Sequence, residues 1–210
     1  MIPIKRKKNK DKNVRNKAYR FLIVPTDEQK IMFSKTFGCC RYLWNHMLSD
    51  KKDYYEKNGK SLYVTPANYK TREESKWLTE VDSLALCNVQ INLDSAYSDF
   101  FNKTKGFPKF KKKGYHNSYT TNNVNNNAKF ENGRLSLPKI PDSVLVVAHR
   151  EVEAGGVIKS VTITREPDDK YYASILFEYP LKQIKLADNK NKAVGLDMKL
   201  RGLYVSSDNE

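Results

Sequence analysis

Residues Ala18 to Val24 read Ala-Tyr-Arg-Phe-Leu-Ile-Val, a run of aromatic and β-branched side chains that stops at Pro25. Such a run is a strand, and proline ends it because it has no N–H to give to a ladder. The next four residues, Thr26-Asp27-Glu28-Gln29, are a capping box: Thr26 can accept from the Gln29 amide while Gln29 reaches back. From there Ile31, Phe33, Phe37, Cys40, Leu43, Trp44, Met47 and Leu48 recur at roughly helical spacing. One strand followed at once by helices must find its pairing partners far along the chain. Gly38 is expected to divide the helical stretch in two, with Arg41 and Lys51 on its polar side.

Asn58-Gly59 marks a turn, and Thr65-Pro66 predicts an N-cap with proline at the first helical position, opening a helix to about Leu78. Asp82 or Ser83 caps the next helix, whose apolar stripe is Leu86, Val89, Leu93, Tyr97 and Phe100. Residues 26–105 therefore form a helical module. The texture then changes at Gly106-Phe107-Pro108-Lys109-Phe110-Lys111-Lys112-Lys113-Gly114, where glycine and proline exclude a helix. Lysines interleaved with rings suit phosphates and bases. The plainer alternative is a linker whose phenylalanines plug the neighbouring core.

Ser118 to Asn127 is asparagine-rich and reads as an irregular loop, with Tyr119 as a candidate stacking ring. Asn132-Gly133 signals a tight hairpin, and short strands follow at Leu135–Leu137, Val144–Ala148, Val157–Thr164 and Tyr171–Tyr179. Several short strands returning to the one at Ala18 predict a small twisted barrel, so the fold class is α+β. Pro180 to Lys192 reads as a charged linker. Ala193–Leu196 and Leu203–Val205 then form a closing hairpin around Asp197, a carboxylate expected where burial disfavours an unpaired charge. A strand-borne aspartate can hold a divalent cation, or it can be a strand-end residue with no role.

Charge decides the class of partner. The 210 residues carry a net charge of +14 at pH 7, which points to a polyanion, and nucleic acid fits better than a membrane because no basic amphipathic helix dominates. Residues 1–17 hold Lys5-Arg6-Lys7-Lys8, Lys10, Lys12 and Arg15 with almost no apolar content, and read as a disordered basic arm. No apolar run approaches the ~18 residues of a membrane span, and the N-terminus has no signal-like apolar region, so a cytoplasmic protein is expected. Cys39, Cys40 and Cys87 are odd in number without CxxC spacing; they read as thiols, with zinc not expected in this chain.

Several of these segments, in this order, resemble one family. They are Lys17-Ala18-Tyr19-Arg20-Phe21, Pro25-Thr26-Asp27-Glu28-Gln29, Phe37-Gly38-Cys39-Cys40-Arg41, Trp77-Leu78-Thr79-Glu80-Val81-Asp82, Gly106-Phe107-Pro108-Lys109-Phe110-Lys111, Gly133-Arg134-Leu135-Ser136-Leu137-Pro138 and Val194-Gly195-Leu196-Asp197. Together they resemble the N-terminal half of the transposon-encoded TnpB (OrfB) proteins, relatives of the type V CRISPR nucleases. The resemblance implies a wedge-like β-barrel (18–25 with 106–185), a helical recognition lobe (26–105) and the start of a RuvC-like nuclease domain of RNase H fold (192–210). It implies a guide RNA from the transposon end and a target DNA read beside a short duplex motif. Asp197 would be the first carboxylate of a two-metal Mg²⁺ site. The helix starting at Ser83 would approach the duplex, Cys87 standing where relatives often carry glutamine. Arg20, Arg41, Lys109, Lys111, Lys112 and Lys113 would contact nucleic acid.

Two departures bear on activity. Within these residues the family's later glutamate and aspartate and its zinc-binding cysteine pairs do not occur, so this polypeptide is not expected to cleave DNA by itself. A missing C-terminal half is then a candidate partner. Met198 and Lys199 also follow the aspartate where the family often reads Leu-Gly. The alternatives are a non-catalytic nucleic-acid-binding protein or repressor, and a helix-turn-helix transposase subunit working without RNA.

Overall fold

A computed structural model describes residues 13–114, 117–181, 195–198 and 205–206. The chain divides into two compact units, Met1–Pro180 and Leu181–Glu210. The linker expected over 180–192 lies outside the described residues apart from Pro180 and Leu181, as does the basic arm up to residue 12.

In the first unit, β1 (Val14–Val24) leads into α1 (Asp27–Asn58), α2 (Pro66–Lys70), a 3-10 segment (Glu73–Glu80) and α3 (Ser83–Phe101). Six strands follow: β2 (Asn117–Asn122), β3 (Lys129–Glu131), β4 (Arg134–Ser136), β5 (Ser143–Val147), β6 (Val157–Arg165) and β7 (Tyr171–Pro180). They form one antiparallel sheet in the order β2-β6-β7-β1-β5-β4-β3. The first strand thus lies mid-sheet and receives its partners from the far end of the unit, as its isolation in sequence requires. It begins at Val14, earlier than expected, because residues 14–17 pair with Phe177–Pro180 of β7 instead of extending the basic arm.

Alternation sets the faces. Tyr19, Phe21 and Ile23 of β1 and Tyr171, Ala173, Ile175, Phe177 and Tyr179 of β7 are buried on the inner face. The sheet is strongly curled. Two strands separate β1 from β3, which in a flat sheet puts them about 14 Å apart; yet the Phe21 and Phe130 rings stack with centroids 5.8 Å apart. The result is a half-barrel, since among the described residues no ladder joins β2 to β3. Asn123 bridges the gap: its backbone N–H donates to Lys159 O (2.8 Å), its Nδ2 to Ile158 O (3.0 Å), and its Oδ1 accepts from the Ala128 N–H (3.0 Å).

Three expectations need correction. Gly38 does not divide α1, which runs unbroken for 32 residues. A glycine costs a helix only about 1 kcal/mol relative to alanine, and the apolar stripe from Phe33 to Leu48 continues across it. The helix expected over 66–78 is five residues of α-helix followed by the 3-10 segment, with Ser75 out of helical geometry so that its hydroxyl can donate to Tyr69 O (2.6 Å). The asparagine-rich stretch at 118–127 holds an edge strand, β2, with Tyr119 and Thr121 turned inward.

The caps are as expected. Thr26 Oγ1 accepts from the Gln29 N–H (3.3 Å) while the Thr26 N–H donates to Gln29 Oε1 (3.0 Å), and Gln29 Nε2 donates onward to Pro141 O (2.8 Å). Asp82 caps α3 by accepting from the Leu84 N–H (3.0 Å). Phe33 and Phe37 bring α1 onto the inner face, against Tyr119 (6.3 and 5.8 Å between centroids) and, for Phe33, Tyr171 (5.9 Å).

Among the described glycines, the closest approach is at Gly156, where a Cβ would lie 2.5 Å from two atoms of the Tyr179 ring. That ring is buried and held by its hydroxyl, which donates to Glu153 O (3.1 Å). Gly156→Ala should therefore lower the unfolding free energy by about 1–3 kcal/mol in a urea titration. An unchanged midpoint would mean that the ring is free to move.

In the second unit, β8 (Leu196–Asp197) pairs antiparallel with β9 (Val205–Ser206), with Asp197 opposite Val205. Its intervening residues 199–204, including Lys199 and Leu203, lie outside the described residues.

Candidate nucleic-acid interface

Arg41 lies on α1, and Trp44 and Asn45 follow three and four residues on, so the three share a face. Two of them grip the lysine-rich loop by its backbone. Trp44 Nε1 donates to Lys109 O (2.9 Å), Asn45 Nδ2 donates to Lys111 O (3.0 Å), and the Lys111 N–H donates to Asn45 Oδ1 (2.8 Å). Pro108 is buried beneath. A loop without secondary structure is thereby fixed at both ends of a three-residue span. Its side chains at Lys109, Phe110, Lys112 and Lys113 are exposed. Among the described residues none of these lysines, nor Arg41, makes an ion pair.

Lys111 is the exception within the loop. Its residue surface is largely exposed, but its ammonium lies 4.2 Å from the Trp44 ring centroid. Loss of hydration there lowers its pKa. It therefore anchors the loop more than it presents a free charge. Apolar periodicity does not single out the mid-helix Asn45. A different signal does exist, because asparagine is a poor helix former and its presence in a long helix implies a task for its side chain.

The α3 start lies on the same stretch of α1. The buried Cys40 thiol is within electrostatic reach of both Lys111 and the capping Asp82. Burial pushes that thiol up to about 12 and the Cys39 thiol up to about 11. Ser83 is exposed at the first position of α3 and accepts from Lys70 Nζ (2.6 Å), a second basic contributor that the sequence does not announce. Cys87, one turn further, is exposed. The structure thus holds the loop on α1 through Trp44 and Asn45 and brings Asp82, the residue before Ser83, near Cys40 of the same helix, while no contact among the described residues joins Ser83 or Cys87 to Arg41 or the loop. A thiol reagent should modify Cys87 alone in the folded protein and all three cysteines after unfolding. Rapid labelling of two or three thiols in the native state would contradict the placement of Cys39 and Cys40.

Arg20 is elsewhere, on the outer face of β1. It pairs with Glu166 and stacks on Tyr172 at 4.3 Å, so its charge is already engaged. Tyr119 is corrected: it is 5% exposed and packs on Phe33 and Phe37, because β2 turns it into the core, away from any base. Asp197 is corrected in its surroundings, being exposed between Leu196 (61%) and Met198 (84%). No group of three metal-ligating side chains occurs among the described residues. One exposed carboxylate on a two-residue ladder does not by itself fit a two-Mg²⁺ site. No helix among the described residues is long and apolar enough to cross a membrane.

A known helix-turn-helix domain model of the OrfB/IS605 type matches residues 13–60. In this chain the matched span folds as β1 and the unbroken α1. The chain belongs to the transposon-encoded TnpB (OrfB) family. It is 28% identical over 201 residues to a Streptomyces pristinaespiralis protein named "Putative RNA-guided DNA endonuclease", covering 92% of this chain and 48% of that protein. It is 29% identical over 171 residues to "Putative RNA-guided DNA endonuclease InsQ" of Escherichia coli K12, covering 78% and 41% respectively. A third relative, "Virulence protein VsdF" of Salmonella dublin, is 35% identical over 111 residues, 46% of this chain and 93% of the relative. The chain thus spans about half the length of the two endonuclease-named relatives.

Proposed function

We propose that this chain is the nucleic-acid-binding half of an RNA-guided DNA endonuclease, acting in the cytoplasm on a guide RNA from the transposon end and a target DNA. The family and the names of its relatives support the two partners. The observation that carries the reading is the backbone grip of Trp44 and Asn45 on Lys109 and Lys111, which holds unpaired cations outward beside Arg41. Pre-ordering a cationic loop removes an entropic penalty that phosphate binding would otherwise meet.

The test is the salt dependence of binding to RNA and to duplex DNA of several sequences. Replacing Lys109, Lys112 and Lys113 together by glutamine should weaken all of them similarly. It should flatten the log K against log salt slope by about 0.7–0.9 for each phosphate that is no longer neutralised. An unchanged slope would make the loop a linker.

Cleavage belongs to the same proposal in a narrower form. Asp197 acts as a Mg²⁺ ligand only in a protein that supplies further carboxylates, in cis or from another chain. Asp197→Ala in such a completed protein should abolish cleavage in Mg²⁺ while leaving binding intact. Undiminished cleavage would remove the metal assignment.

A further inference from the structure

We propose that the end of α3 and Phe107 form a stacking platform for unpaired nucleotides, adjoining the loop lysines proposed to meet phosphates; this rests on the nucleic-acid-binding reading above. Four aromatic rings converge there. Phe107 stands edge-on to Tyr97 (5.6 Å between centroids, 87°) and to Phe100 (5.3 Å, 87°). Phe101 continues the cluster, parallel to Tyr97 at 6.3 Å and 23°, and 5.4 Å from Phe100. Tyr97 and Phe100 are half-buried, whereas Phe101 is 59% exposed and Phe107 43%. Phe101 and Phe107 therefore stay partly open to solvent while packing on the half-buried Tyr97 and Phe100.

The chain turn that builds this arrangement is specific. Lys103 takes a left-handed φ of 57°, and Asp99 O accepts from the Thr104 N–H (2.9 Å), the Lys105 N–H (3.3 Å) and the Thr104 hydroxyl (2.9 Å). The chain then returns over the helix end and seats Phe107. The same turn carries Lys103 and Lys105 between Phe101 and Phe107 in the chain, with Lys109 two residues beyond Phe107. Asp99 neutralises Lys105 (2.9 Å), while Lys103 and Lys109 make no ion pair among the described residues.

Partly exposed rings in a chain stretch that also carries unpaired lysines match a single strand of nucleic acid: bases would stack on the rings and phosphates would meet the ammonium groups. A duplex hides its base faces and gains nothing from the rings. A protein partner would need a more apolar and less charged surround. The shared chemistry is the unpaired base, which RNA or DNA can supply.

The experiment uses the whole chain with Phe101→Leu and Phe107→Leu, singly and together, which keep apolar volume and remove the π face. Four probes are compared: a single-stranded RNA, a single-stranded DNA, an abasic DNA strand of equal length, and a duplex. Each variant should bind the base-bearing strands about tenfold more weakly. The abasic strand, the duplex and the salt slope should not change. Whichever base-bearing strand loses more identifies the source of the unpaired nucleotides. Equal losses on the abasic strand, or no loss on any strand, would overturn the platform. If the lysine variants flatten the salt slope while the leucine variants do nothing, only the platform falls. If the wild-type chain binds none of the probes, both readings fall. Unchanged urea midpoints exclude misfolding as the cause.

Discussion

Trp44→Ala should lower the unfolding free energy by about 3–5 kcal/mol, read from urea titrations, and should weaken nucleic-acid binding by freeing the lysine loop. The side chain is 8% exposed, so truncation leaves a cavity in the helical core. It also removes the donor to Lys109 O and the ring under the Lys111 ammonium. Trp44→Phe separates the two effects. It keeps most of the ring volume but cannot donate, so stability should fall by only about 1 kcal/mol. Binding should still weaken, because the Lys109 end of the grip is gone. The salt slope should hold, since Lys109, Lys112 and Lys113 remain. Full affinity in Trp44→Phe would mean that Asn45 alone orders the loop.

Phe33→Ala is the second large expected effect, again about 3–5 kcal/mol. Phe33 is fully buried and is the ring of α1 that meets both Tyr119 of β2 and Tyr171 of β7. Deleting it removes apolar area and two aromatic pairs at the seam between helix and sheet. Phe33→Leu should recover more than half of the stability, because it refills volume without the ring geometry. A change below about 1 kcal/mol in Phe33→Ala would show that the seam collapses to fill the cavity. Neither variant should alter the salt slope of binding.

Much of this architecture is legible where one local rule dominates. The capping box at Thr26–Gln29, the cap at Asp82 and the alternation from Tyr171 to Tyr179 each specify structure within a few residues. β2 escapes such rules because Ser118, Thr120 and Asn122 face outward, leaving only Tyr119 and Thr121 as inward residues in an asparagine-rich stretch. Its strand character comes from its partner, as in the Thr120–Thr162 hydroxyl pair at 2.8 Å across β2 and β6. The break expected at Gly38 does not occur because tertiary packing outweighs a small intrinsic penalty.

At the interface, the basic loop is visible as composition, but its order is not. That order depends on hydrogen bonds between residues 65 and 66 positions apart in sequence, from Trp44 to Lys109 and from Asn45 to Lys111. The withdrawal of Lys111 and the pairing of Arg20 with Glu166 have the same origin. Composition counts charges, whereas long-range pairing decides which are free. Asp197 is expected in a buried setting from its apolar flanks, yet its neighbours in the second unit are exposed.

The continuity of α1 has a mechanical consequence. Phe33, which touches the sheet, and Trp44, which holds the loop, are eleven residues apart on one helix, about 16 Å along its axis. The helix acts as a ruler: the spacing between sheet and loop is set by the hydrogen-bonded rise of a helix that runs unbroken through Gly38. A nucleic acid that reaches the loop meets a surface of constant gauge. On the nucleic-acid-binding proposal, the polyanion meets cations held at a fixed distance from the sheet.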